Sequence, residues 1–294
     1  MSDLSVILPP PLPVAAVAPE KPRVWPAFVA FFTLLALEVI VAGIVLVLVT
    51  LALHGTAGLP GKILAVSESA PGLLISFVST MVLAAGVALA GAWLSPQFWR
   101  DRLQLRRVPL RPLILLAATL GIVSIGMLLS ALMELHLLPR SHALDVLDHM
   151  LKGLSAPGAL LAVLLLGLLP GLVEELLFRG YIQTRLVARW GAVWGVFWTA
   201  LMFGISHLDL MQGAFAVVVG CLLGFLTVRT GSIVPAMICH AANNTLSMIL
   251  SVSADEPAGP GAHLVMLLLG LVILPLAILY LRARLPAGSG KVDA

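Results

Sequence analysis

Long apolar runs, broken at intervals by short basic or acidic loops, make up most of the chain. Eight runs stand out, at about 26–53, 71–94, 113–133, 158–178, 191–206, 211–228, 233–252 and 263–281. An α-helix needs about 20 apolar residues to cross ~30 Å of hydrocarbon, and a longer run crosses with tilt. The expectation is an all-α polytopic membrane protein of about eight transmembrane helices. No internal repeat of 20–50 residues is evident.

Four regions follow from this pattern. Residues 1–24 are rich in Pro and Ala and are expected to form a disordered cytoplasmic tail. They lack the basic start, short apolar core and Ala-x-Ala site of a cleavable signal peptide. Residues 25–154 hold the first three helices, 155–252 the next four, and 253–294 the last helix and a tail.

Composition sharpens the class. Of 294 residues, 60% are hydrophobic and 11% charged, with mean hydropathy +1.09. Soluble domains run near 25% charged. The net charge of +3 comes from basic loops and does not argue for nucleic acid. Cys221 and Cys239 both fall inside apolar runs, as buried thiols rather than a disulfide framework.

An even number of spans puts both termini on one side, and charge decides which. Arg100, Arg102, Arg106, Arg107 and Arg111 lie between spans two and three. Arg185 and Arg189 follow span four, and Arg282 and Arg284 follow span eight. The alternate loops hold Lys62, Arg140 and Lys152 and more acids, including Asp255 and Glu256. Positive-inside then places both termini in the cytoplasm, with Trp25, Trp93, Trp99, Trp190 and Trp194 at the same interface. Short loops without appended domains point to a bacterial plasma membrane.

The polar residues inside apolar sequence carry the chemistry. The stretch from Pro170 to Gly180 holds adjacent Glu174 and Glu175 at the end of a hydrocarbon run. A carboxylate at a helix centre costs about 2.5–3.5 kcal/mol on insertion scales, which makes it a functional candidate. Glu175 and Arg179 are four apart and share a face, as an ion pair would. Glu174 sits about 100° round the helix and is free for chemistry. Glu38, alone in span one, reads as a carboxylate satisfied by a neighbouring helix or snorkelling. His207 ends span five. His240 and Asn244 are four apart on span seven, and Asn243 faces elsewhere. Three helices thus offer polar groups that, packed together, would enclose a polar intramembrane chamber.

A glutamate and a histidine can hold and deprotonate a water. A second histidine and an amide can donate to an oxyanion. The alternative is metal-assisted hydrolysis, with Glu174, His207 and His240 as ligands of a divalent ion such as zinc. No His-Glu-x-x-His motif is present, and Ser206 cannot face His207 from the adjacent position. A third reading is a proton-coupled transporter, which the missing two-fold repeat disfavours. Gly220-x-x-x-Gly224 permits close helix contact and is compatible with dimerisation. The oligomeric state is not legible.

Glu174-Glu175-x-x-x-Arg179, Phe203-x-x-x-His207 and His240-x-x-x-Asn244, in this order in successive segments, resemble the CPBP family of CAAX prenyl endopeptidases and bacteriocin-processing proteins, also called the Abi domain. The resemblance covers about 155–250 and implies intramembrane hydrolysis of a peptide bond in a membrane-associated peptide or protein. It implies that Glu174 and His207 activate the water and that His240 and Asn244 stabilise the oxyanion. Glu175, Arg179 and Phe203 would support the site. The resemblance implies either a metal-dependent or a metal-free glutamate mechanism; Asn244, a better oxyanion donor than metal ligand, favours the metal-free one, with no cofactor expected. Some relatives act in peptide-toxin immunity without catalysis, a further alternative. One conflict stands: the run boundaries put Glu174 near the inner end of span four and His207 at the outer end of span five. Either span four continues past Arg179, or span five is short or tilted.

Overall fold

The computed structural model of the protein describes residues 22–67, 69–152, 154–253 and 259–286. Most of the expected N-terminal tail, the pair Asp255–Glu256 and the end of the chain lie outside them. Eleven helices follow in order: α1 Trp25–His54, α2 Leu59–Ser67, α3 Ala70–Trp93, α4 Trp99–Arg102, α5 Pro112–Glu134, α6 His142–Leu151, α7 Ala156–Trp190, α8 Ala192–Ile205, α9 Leu210–Thr230, α10 Val234–Ser253 and α11 Pro260–Arg284. No strand occurs among the described residues.

Local chemistry sets where these helices begin. Proline stands in the first turn of α1, α3, α5, α7 and α11, where its missing N–H costs nothing. The hydroxyls of Ser69, Ser141 and Ser155 accept from the amides of Gly72, Leu144 and Gly158 and cap α3, α6 and α7.

Six helices (α1, α3 from Pro71, α5, α7, α9 and α11) are long and apolar enough to cross a membrane. The chain is an integral membrane protein. Two of the eight expected spans fall short of that standard. Helix α8 has 14 residues. Helix α10 has 20 residues, but His240, Asn243 and Asn244 dilute its apolar surface. Helix α8 leads to His207 and α10 carries His240 and Asn244, and both pack within the bundle, α8 against α9 and α10 against α5 and α7.

Helix α7 departs most from its expected limits. It runs for 35 residues, past Phe178 to Trp190. Arg179, Gln183 and Thr184 look like a helix end in the sequence, yet all are buried because each finds partners. Gln183 Nε2 donates to Gly224 O at 3.1 Å, and Arg102 of α4 donates to Thr184 Oγ1 at 2.5 Å and Tyr181 O at 2.7 Å. The helix widens into π turns at Val163–Leu168 and Leu176–Gln183, on either side of the paired glutamates. Pro170 offers a cause for the first, since its ring clashes with the carbonyl four residues back. The second presents the carbonyls that Arg102 caps.

The core is in two main parts. The stripe Ala27, Phe31 and Leu34 of α1 packs with Met81, Ala84 and Ala88 of α3 on Leu177 and Phe178 of α7. Ile122 of α5, Leu223 and Leu226 of α9, Cys239 of α10 and Leu281 of α11 form the other. Both cysteines are free thiols. Gly220 and Gly224 serve contacts inside the chain: a Cβ on Gly220 would lie 3.0 Å from Ala200 Cβ, and one on Gly224 would lie 2.6 Å from Gln183 Oε1.

Candidate active site

The length of α7 removes the depth conflict between Glu174 and His207. The chain folds back at Gly191, whose φ of +82° lies in the region that favours glycine. Glu174 is 17 residues before that turn and His207 is 16 after it. At 1.5 Å per residue both stand about 25 Å from the turn, so the two side chains come level.

Glycines bring α7 against α10. A Cβ at Gly171 would meet Ala241 N at 2.3 Å, and one at Gly167 would meet Thr245 Cα at 2.9 Å. The helices therefore approach backbone to backbone at two points one turn apart. This Gly167-x-x-x-Gly171 pattern is visible in the sequence and was missed there. Its effect is to set His240, next to Ala241, over the glutamates.

Glu175 is wholly buried and shares one oxygen between two donors. Arg179 Nη1 donates to Glu175 Oε1 at 2.6 Å, and His240 Nδ1 donates to the same oxygen at 2.9 Å. Arg179 is also wholly buried and donates through Nη2 to Gly220 O at 3.3 Å. The other imidazole nitrogen, Nε2 of His240, lies 3.8 Å from Glu174 Oε2. The order Arg179, Glu175, His240, Glu174 thus links α7 to α10 and back. The Glu174 side chain keeps 16% of its surface open, whereas that of Glu175 keeps none.

Phe203 is the seat of this group. Its ring meets Phe178 at 5.0 Å, His207 at 4.9 Å and His240 at 5.8 Å, each edge to face. The Arg179 guanidinium lies 4.5 Å from its centroid. One turn on, His207 Nδ1 donates to Phe203 O at 2.8 Å. A carbonyl only accepts, so Nδ1 carries the hydrogen and Nε2 is left free for another partner. The α8–α9 turn after His207 holds Leu208 at φ +53°, a strained conformation for a branched residue.

Asn243 had no role in the sequence reading. It is buried, and its Nδ2 donates to Asn244 Oδ1 at 3.0 Å. With its oxygen so engaged, Asn244 has its own amide nitrogen left to donate. Glu38 does not snorkel: it is 8% exposed and close enough to Glu174 for their charges to act on each other. No signal in the sequence ties Glu38 to Glu174, since helix packing alone relates them.

Among the described residues, no three His, Cys, Asp or Glu side chains form a group that would hold a metal ion.

Residues 156–246 match the model of a family described as type II CAAX prenyl endopeptidase Rce1-like. The match agrees with the motif resemblance and runs from the start of α7 into α10. It takes in Glu174, Glu175, Arg179, Phe203, His207, His240 and Asn244. No curated protein and no solved structure matches the chain.

Proposed function

We propose that the Rce1-like segment, with its flanking helices, is an intramembrane endopeptidase that cleaves a membrane-associated peptide or protein. The observation that carries this reading is the Glu174 carboxylate, 3.8 Å from His240 Nε2 and backed by the buried Glu175–Arg179 pair. Two buried carboxylates in apolar surroundings are costly, and only Glu175 is used by its partners.

In this reading a water sits between the Glu174 carboxylate and His207 Nε2. Glu174 takes its proton as the oxygen attacks the scissile carbonyl carbon. The oxyanion accepts from Asn244 Nδ2 and from His240 Nε2. His240 already gives its Nδ1 hydrogen to Glu175, so it donates through Nε2 only with both nitrogens protonated, and the oxyanion balances that added charge because Glu175 already answers Arg179. Collapse of the intermediate breaks the C–N bond, and Glu174 returns its proton to the leaving amine. Phe203, Arg179 and Asn243 position these groups.

The finer architecture belongs to the same proposal. Helices α8 and α10, shielded by their neighbours, complete eight spans around a polar chamber, with residues 155–252 as the catalytic core. The arginine asymmetry of the loops supports a cytoplasmic side for both termini, in what this reading takes to be a bacterial inner membrane.

Comparative proteomics of membranes carrying wild type or Glu174→Ala tests the activity. A membrane peptide or protein should accumulate uncut in the variant, and purified wild type should cleave it. A variant that protects cells against a peptide toxin as well as wild type, with no uncut species, would replace the enzyme with a binding protein of the same fold.

A further inference from the structure

A cavity of about 510 Å³ opens where the start of α5 meets the ends of α9 and α11. It shares no lining residue with the Glu174 group. Three guanidinium-bearing residues line it, Arg111, Arg229 and Arg284, and none of its lining residues is acidic. The acids that pair with arginine among the described residues do so elsewhere, Asp101 with Arg106, Glu134, Asp145 and Asp148 with Arg140, and Glu175 with Arg179. Three like charges around one cavity repel one another unless an anion joins them.

Arg229 is held in place there. Its Nη2 donates to Leu285 O at 3.0 Å, and its guanidinium lies 5.3 Å from the Phe225 ring. Its Nε is buried and has no partner among the described residues. Arg284 lies 5.7 Å from the ring of Tyr280, which is on the cavity wall. Guanidinium forks match phosphate oxygens in geometry and charge.

Tyr280 also lines a second hollow, a groove with Leu113, Leu116, Ala117 and Leu120. These four positions form one stripe of α5, and the three leucines are exposed. The groove is almost wholly apolar and continues from the cationic cavity along a membrane-spanning helix. Charge above and hydrocarbon below, joined at Tyr280, match an amphiphile with an anionic head.

We propose that this is a site for an anionic phospholipid, its phosphate held by Arg111, Arg229 and Arg284 and one acyl chain lying along Leu113, Leu116 and Leu120. General attraction of basic loops to an anionic membrane would not distinguish these arginines from others. The site does.

The test uses the full chain purified in neutral detergent, titrated with dioleoylphosphatidylglycerol, dioleoylphosphatidylcholine or inorganic phosphate, with thermal stability and lipid retention in native mass spectrometry as readouts. Phosphatidylglycerol should stabilise the protein and be retained; the other two should not. Arg284→Gln and Arg229→Gln should each weaken its binding about fivefold. Arg100→Gln, outside the cavity, should leave it unchanged. Leu116→Trp fills the exposed groove without disturbing the arginines and should also weaken retention, which keeps the test open if Arg229→Gln folds poorly. Equal effects of the two lipids, or an equal loss in Arg100→Gln, would overturn the site. Stabilisation by inorganic phosphate alone, with Leu116→Trp silent, would reject the lipid in favour of a small anion.

Discussion

His240 and Glu175, 65 residues apart in the chain, share a 2.9 Å hydrogen bond on the oxygen that also receives Arg179. This bond turns a local ion pair on α7 into a clamp between α7 and α10. It also makes the adjacent glutamates unequal, since Glu175 holds two donors while Glu174 faces the remaining nitrogen of His240.

The two carboxylates should therefore respond differently to the same change. Glu175→Gln leaves buried Arg179 without its counter-charge, typically a loss of about 3–5 kcal/mol. Folded yield in detergent should fall steeply. Glu174→Gln should keep the yield and melting temperature of wild type while abolishing turnover. Parallel losses of yield would assign both residues to one structural role.

The glycine contacts give a prediction independent of catalysis. Gly171→Ala puts a methyl 2.3 Å from the Ala241 backbone, where no side chain can yield. Forcing α7 and α10 apart should cost about 1–3 kcal/mol and separate His240 from the glutamates, so stability and activity fall together. Gly86→Ala, with nothing within 4 Å of the added carbon, should be neutral or stabilising by about 0.5–1 kcal/mol. Thermal melts of the two variants side by side decide the point.

Asn244→Ala removes an amide donor and should slow cleavage by about 10²–10³ while substrate binding persists. Asn243→Ala frees the Asn244 amide to rotate and should give a smaller loss in the same parameter. Turnover should survive exhaustive chelation. Loss of activity on chelation, restored by zinc and accompanied by loss of bound zinc in His240→Ala, would refute the mechanism proposed for the water.

Asp209 caps α9 immediately beyond the His207 turn, accepting from Gln212 N at 2.8 Å. Partial burial works to raise its pKa, but hydrogen bonds from Gln212, Ser141, Ala143 and Met211 together outweigh it and hold the carboxyl below its ordinary value. The contribution is present above the unfolded carboxylate range and is lost as pH falls through the lowered folded value. Asp209→Asn should then be less acid-sensitive than wild type in melts across that range. Asp209→Ala should lose about 1 kcal/mol at neutral pH.

Much was legible because helix geometry is local. The apolar runs mark the spans, and i, i+4 spacing places Glu175 with Arg179 and His240 on the face of Asn244, whatever surrounds them. Tertiary packing decided what spacing cannot carry. Helix α7 continues to Trp190 because Arg102 and Gly224 meet polar groups that would otherwise end it. His240 takes Glu175 as its partner because Gly167 and Gly171 let α10 approach. Asn243 orients its neighbour, and Glu38 comes to Glu174 through the packing of α1 on α7. A side chain's face follows from 3.6 residues per turn; its partner on another helix depends on how closely and at what height two backbones meet.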